Sequence, residues 1–383
     1  MGLEDLAVYL RLAPEFGGTR FGPFEGLEVR LLANRDPHLH FVLLSDFFDA
    51  AEETLPGDAA LLDHAQRQID ALNARYAPEN NDRFFLFHRP RVWNPRERAW
   101  MGHERKRGKL TALNAILRGG APAPGYRFLR IAGNTEALGN VRYVITLDTD
   151  TQLPRDTAHE LIGTLAHPLN RARFDTRRRV VTRGYGILQP RVGVRMSGER
   201  RSRYASLYGS EPGIDPYTRA VSDVYQDLFG EGSFVGKGIY DIDAFEHALA
   251  GRMPENRILS HDLLEGCYAR AGLVSDVELY EDYPARYAVD VKRRHRWIRG
   301  DWQLLPWLLP RVRIAPGAPD RPVPSTPDEK APRKSRERNP LSPLSRGKVL
   351  DNLRRSLVPA ALTALLVVGW ALAPDPLLWL VWV

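Results

Sequence analysis

Along residues 27 to 309 the chain switches repeatedly between near-continuous apolar runs and a 3.6-residue period, and this switching predicts an α/β domain. The runs "LHFVLLSDF" (39 to 47), "RFFLFHR" (83 to 89) and "YVIT" (143 to 146) predict buried strands. Between them, "DAAEETLPGDAALLDHAQRQIDALNARY" has helical spacing with a proline break, and "KLTALNAILRG" predicts a helix ended by Gly119. "ELIGTLAHPL" predicts a helix begun by Asp156 or Thr157, and "RVVTRGYGILQPRV" predicts short strands. Strands and helices in this order predict a mainly parallel sheet flanked by helices. Such sheets bind ligands beyond the carboxyl ends of their strands, the edge on which Asp46, Asp148 and Asp150 fall.

Past residue 312 the pattern changes. Prolines and charges dominate residues 313 to 340, which predicts a solvated linker. Segment 341 to 355, "LSPLSRGKVLDNLRR", suits either a helix lying in the lipid headgroup region or an amphipathic helix of the core. From Ser356 to Pro374 no residue is charged, enough for a membrane span, and a second apolar run starts at Pro376 and is cut at Val383. Lys348, Arg354 and Arg355 precede the span, which puts the domain before it on the cytoplasmic side.

Composition narrows the class. With 383 residues and 43% hydrophobic content the chain can bury a sizeable core, so it is not a disordered protein. One cysteine, Cys267, excludes an internal disulfide framework, and the first residues lack the basic stretch and apolar core of a signal peptide. The net charge of +7 gathers at Arg177 to Arg179, Lys292 to Arg296 and Arg333 to Arg338. These clusters flank carboxylate motifs and an apolar span rather than a recognition module, so no nucleic-acid partner is expected.

Four stretches carry chemistry. In "ITLDTDTQLPRD" Asp148 and Asp150 follow a strand, where a loop lets two carboxylates converge on Mg²⁺ or Mn²⁺ with a substrate diphosphate; an acid pair capping the next helix is the alternative. In "ENRILSHDLLEG" Asp262 stands at a helix start, where backbone amides favour its ionised form, and Glu265 follows one turn later. Asp262 can thus take a proton from a hydroxyl; the alternative is that Ser260 or Asp262 is simply an N-cap. "KRRHRWIRGDWQ" offers Arg293 and Arg296 for phosphate oxygens and Trp297 or Trp302 as a flat face for a sugar ring. "FGEGSFVGKGIYD" fails the phosphate-loop pattern, because Glu231 stands where a glycine is needed and Gly238 follows Lys237, and it remains a glycine-lined segment able to approach a substrate.

Together with "FVLLSDFFDA" (41 to 50) and "ERKRGKLTALNAILRG" (104 to 119), these stretches cover most of residues 28 to 310 in order. As a set they resemble processive family 2 glycosyltransferases, and more closely the transferase region of cyclic β-1,2-glucan synthases, classed as family 84. The resemblance implies a GT-A-like fold and inverting transfer of glucose from UDP-glucose to the 2-hydroxyl of a growing glucan. By matching position it implies that Asp46 touches the uridine, that Lys109 lies near the nucleotide, and that Asp148 and Asp150 hold the diphosphate through Mg²⁺ or Mn²⁺. It makes Asp262 the general base, gives Arg293 and Arg296 to the donor side, and gives Trp297, Trp302 and Lys237 to the acceptor side. Arg293 stands where the family's QxxRW motif has glutamine, which points to charge neutralisation.

The expected layout is an atypical segment at 1–26, a transferase domain at 27–312, a linker at 313–340, an interfacial helix at 341–355, and a span with the start of a second at 356–383. The first 26 residues show no convincing apolar strand where a GT-A sheet opens, so a fragment of a longer synthase is expected. The expected partners are UDP-glucose, a glucan acceptor, membrane lipids and the rest of that synthase, at the inner membrane with the catalytic domain on its cytoplasmic side. The alternative function is an inactive remnant acting only through membrane or protein contacts.

Overall fold

Alternate residues of a strand point to opposite faces, and apolar runs without polar interruptions need cover on both. The computed structural model describes residues 23–77, 81–194, 202–208, 223–258, 261–313 and 336–372, and the backbone path of residues 6–11. Its elements begin with β1 (Leu6–Arg11), α1 (Pro23–Ala33), β2 (Leu39–Asp46), α2 (Asp58–Tyr76), β3 (Phe84–Arg89), β4 (Val92–Asn94), β5 (Ala99–Met101) and α3 (Arg105–Leu117). There follow β6 (Arg130–Ala132), β7 (Tyr143–Leu147), α4 (Thr157–Ala166), β8 (Arg173–Asp175), β9 (Val180–Arg183), β10 (Ile187–Val194), α5 (Arg203–Tyr208) and α6 (Val224–Phe229). The chain continues through β11 (Gly238–Asp241), α7 (Ile242–Leu249), α8 (Asp262–Ala269), β12 (Ala271–Glu281), α9 (Tyr287–Gln303), β13 (Arg311–Arg313), β14 (Arg336–Arg338) and α10 (Pro343–Leu372).

Eight strands form one sheet in the order β12-β10-β11-β7-β1-β2-β3-β6. The β1–β2, β1–β7, β2–β3 and β10–β12 ladders are parallel, while β11 runs antiparallel between β7 and β10 and β6 antiparallel to β3. Val42, Leu44, Phe85, Phe87 and Val144 face a layer built by Leu110 and Leu113 of α3, Phe245 of α7 and Leu264 of α8. Their neighbours Phe41, Leu43, Phe84, Leu86 and Ile145 face the opposite layer, made by Leu27 of α1, Ile69 of α2 and Leu161 of α4. The mainly parallel sheet flanked by helices is therefore the architecture observed.

One expectation is overturned at the N-terminus. Residues 1 to 26 do supply a strand: Leu6–Arg11 pairs in parallel with Leu39–Leu44 on one side and with Tyr143–Leu147 on the other. Without it β2 and β7 would each leave a row of buried N–H and C=O groups unpaired in the middle of the sheet. The sheet thus starts well before residue 27.

The C-terminal expectation is modified. A single continuous helix, α10, runs where an interfacial helix and a separate span were expected, and Pro359 lies within it. Its first turns bury Ser345, Lys348, Val349, Asn352 and Leu353, a stripe at helical spacing that packs on α9 and the turn after it. Lys348, expected among the membrane-flanking charges, instead donates to the carbonyls of Gly232 at 2.8 Å and Glu231 at 3.4 Å. Beyond Arg354, Arg355 and Ser356 the helix is apolar and exposed, and α10 is long and apolar enough to cross a membrane. Ser260, most of the linker and the second apolar run lie outside the described residues.

Candidate active site

Strand β7 ends at Leu147 and the chain turns at once: Thr151 N donates to Asp148 O at 3.1 Å, and Asp148 N donates to Thr151 Oγ1 at 3.2 Å. This turn converts the i, i+2 spacing of Asp148 and Asp150 into convergence. The turn is tied to the far end of the sheet, because Gln152 N donates to Tyr280 O at 2.7 Å and Thr151 Oγ1 donates to Glu281 Oε1 at 2.9 Å. Behind it the buried Arg30 of α1 donates to Thr151 O at 2.5 Å. Glu281, 130 residues from Thr151, thereby joins the aspartates, and the ligand oxygens of Asp148, Asp150 and Glu281 all lie within 4.8 Å of one another.

The electrostatics of this triad are strained. Burial, then Glu281 and Asp148, push the Asp150 carboxyl up to about 7, against the pull of Lys237. Lys237 sits among the three acids, with Nζ against Glu281 Oε1 and 3.4 Å from Asp148 Oδ2. Burial works against its charge, yet Glu281, Asp148 and Asp150 outweigh it and raise its pKa above the usual lysine value. Three hard oxygen donors suit Mg²⁺ or Mn²⁺, and the ammonium held among them shows that the position calls for positive charge. The residues present therefore fit a divalent cation, which Asp148, Asp150 and Glu281 could hold.

Asp262 is the first residue of α8. Its N-cap is His261, which makes no side-chain cap bond; the start of α4 is instead served by Asn34, whose Oδ1 accepts from Ala158 N at 3.0 Å, so the Asp148/Asp150 pair is not a helix cap. The helix start was expected to favour ionised Asp262. Burial has the larger effect and raises its pKa, Lys106 opposes it, and Glu265 adds to the rise. A carboxylate made more basic in this way is better suited to accept a proton. Two groups connect Asp262 to the triad. Lys106 Nζ lies 3.2 Å from Asp148 Oδ1 and donates to Gly236 O, and Gly236 lies so close that a Cβ there would stand 2.9 Å from the Asp262 carboxylate. Thr146 Oγ1 fixes the same carbonyl at 3.1 Å, so the glycine-lined segment runs as a strap from Asp148 to Asp262.

The other expected residues fall into separate networks. Asp46 ends β2 in a buried cage: Arg89 donates to it at 2.8 and 3.1 Å, and Lys109 Nζ lies 3.3 Å away. Burial would raise its pKa, but Lys109 and Arg89 outweigh it and hold the carboxylate below its ordinary range. Gly102 leaves the room, since a Cβ there would come within 2.4 Å of the carboxylate. Arg293 is buried and paired with Asp290 at 2.9 Å, with Tyr283 and Trp297 against its guanidinium. Arg296, Trp297 and Trp302 lie on the same helix, α9, with both tryptophans about two-fifths exposed. Sequence reasoning did not single out Glu281, Lys106, Arg89 or Arg30. Lys106 lies inside a quoted motif, but Glu281 carries no local signal, because its place depends on the β10–β12 pairing.

Strand order and the carboxylates at the exit of β7 define an α/β domain with a mainly parallel sheet and an acidic cluster at one edge of it. Comparison with known proteins gives a particular relative: the chain is 47% identical over 356 residues, 92% of its length, to the cyclic beta-(1,2)-glucan synthase NdvB of Rhizobium meliloti (strain 1021). It spans 12% of that protein, and is similar to this one segment of it. No protein-family model matches the chain. Solved structures of S. aureus TarS 1–349, alone and in complex with UDP-GlcNAc, align with 97% of this chain at 10% and 9% identity, covering 75% and 76% of those chains, each with a TM-score of 0.40.

Proposed function

We propose that the chain is a membrane-bound, metal-dependent inverting glucosyltransferase that uses UDP-glucose to extend a β-1,2-glucan. The observation that carries this reading is the convergence, on one edge of the sheet, of the Asp148, Asp150 and Glu281 oxygens with Asp262, bridged by Lys106 and the Gly236 strap. A divalent cation at the triad would supply charge to offset the departing diphosphate. Asp262 takes the proton of the acceptor hydroxyl. Its raised pKa strengthens it as a base, and the positive charge of Lys106 offsets the repulsion between it and Asp148. Trp297 and Trp302 offer faces to the acceptor sugars, and Arg296 serves the donor.

Glucose as the donor sugar and the β-1,2 linkage come from the likeness to the synthase segment. The exposed apolar part of α10, preceded by Arg354 and Arg355, supports anchoring in the inner membrane with the domain on the cytoplasmic side. The alternative, an inactive remnant, rests on a missing first strand, and β1 fills that place in the sheet. The test is transfer from UDP-glucose to a glucan acceptor by the chain in detergent with Mn²⁺, compared with Asp262→Asn. Loss of a general base costs roughly 10²–10⁴ in rate with nucleotide binding intact. A variant that transfers at the parent rate would remove Asp262 from the role.

A further inference from the structure

A divalent cation would compete with an ammonium for one position in this site. The ligand oxygens of Asp148, Asp150 and Glu281 lie within 4.8 Å of one another, and the Lys237 ammonium is already in contact with Glu281 and 3.4 Å from Asp148. An ammonium and a divalent cation cannot share that space, because cations a few ångströms apart in a buried site repel strongly. The backbone around Lys237 is fixed: Gly236 O is held by Thr146 and Lys106, and Gly238 and Ile239 pair with Thr146 and Ile145 of β7. Only the side chain is free to exchange. It is long, jointed and 15% exposed, so rotation about its own side-chain bonds is the movement the exchange calls for.

We propose that Lys237 is an exchangeable internal counter-ion. It neutralises the Asp148–Asp150–Glu281 triad until a divalent cation takes its place, and then turns outward to pair with the diphosphate oxygens of the nucleotide donor. The same lysine thus weakens cation binding in the empty enzyme and strengthens nucleotide binding in the cation-loaded enzyme. That makes the two ligands cooperative, since each supplies what the ammonium needs when the other arrives. This assigns Lys237 to the donor side as a positioning residue rather than to the acceptor, and it makes Glu281 a ligand rather than a structural acid. The inference rests on the cation reading of the site given under the proposed function.

The test is a Mn²⁺ titration, followed by the electron paramagnetic resonance signal of free Mn²⁺, on the full chain in detergent near neutral pH. The variants are Lys237→Met, Lys237→Gln and Glu281→Gln, each checked for folding by thermal unfolding; Lys237→Gln keeps a hydrogen bond to Glu281 if methionine proves too disruptive. UDP affinity at saturating Mn²⁺ is measured beside it by calorimetry. Loss of one buried charge contact predicts Mn²⁺ binding about tenfold or more tighter without nucleotide in either lysine variant, and UDP binding about tenfold weaker at saturating Mn²⁺. Glu281→Gln should weaken Mn²⁺ binding by a similar factor. A merely structural lysine would not move the two affinities in opposite directions. If the wild type binds Mn²⁺ and a folded lysine variant binds it no more tightly, the counter-ion role is overturned and the cation site stands. Failure of the wild type and all folded variants to bind Mn²⁺ would overturn both.

Discussion

Replacing Asp46 by alanine removes a carboxylate that contacts both Arg89 and Lys109 within its cage, and those two side chains are each 2% exposed. Neither can turn to water without opening the space between β2, β3 and α3. Breaking a buried ion pair by deleting one partner costs about 3–5 kcal/mol, because the surviving charge stays desolvated, and here two charges survive. Domains of ordinary size have roughly 5–15 kcal/mol in all, so the variant should lose a large share of its stability. At roughly 2–4 °C per kcal/mol the midpoint of thermal unfolding should fall by about 10 °C. Asp46→Asn should cost less, since an amide oxygen still accepts from Arg89. The assay is thermal unfolding of wild type, both variants and the double variant Asp46→Ala with Lys109→Met, which removes one of the two remaining buried charges and should recover part of the loss. A midpoint within about 2 °C of wild type for Asp46→Ala would refute the reasoning, and would return Asp46 to a purely nucleotide-contacting role.

Two further outcomes follow from single residues. His88 is buried beside Ser45, and burial pulls its pKa down to about 4. Because the unfolded chain takes up that proton near pH 6.5 and the folded chain does not, the stability present above pH 6.5 is withdrawn as pH falls from about 6.5 to about 4, by about 3 kcal/mol. Unfolding midpoints across that range should show this slope, and His88→Gln should flatten it; a wild-type curve already flat would contradict the assignment. Gly236 has φ +89°, and a Cβ there would press on Asp262. Gly236→Ala should cost about 1–2 kcal/mol and lower transfer by more than tenfold; unchanged transfer in a folded variant would show that the strap does not position the base.

What was legible in the sequence was whatever depends on neighbours along the chain. The strands at 39–46, 84–89 and 143–147 show as unbroken apolar runs, and the helices over 58–76, 105–117 and 157–166 as periodic ones. The first strand is hard to read because "LAVYL" is a short run set between Glu4, Asp5 and Arg11, and what marks it as a strand is its place between β2 and β7. Lys348 was misread for a related reason: next to an apolar span a lysine looks like a membrane flank, and only packing of α10 on the strap turns it inward. Asp148 and Asp150 announce themselves by spacing. Glu281 does not, since it arrives at the end of a strand two positions away across the sheet from β11.

The most direct test of the central claim is calorimetric titration of UDP into the purified chain with and without Mn²⁺, beside Asp148→Ala/Asp150→Ala. The account predicts UDP binding that depends on Mn²⁺ in the wild type and is lost in the folded variant. Binding of equal strength in the variant, or none in a folded wild type with Mn²⁺, would contradict it.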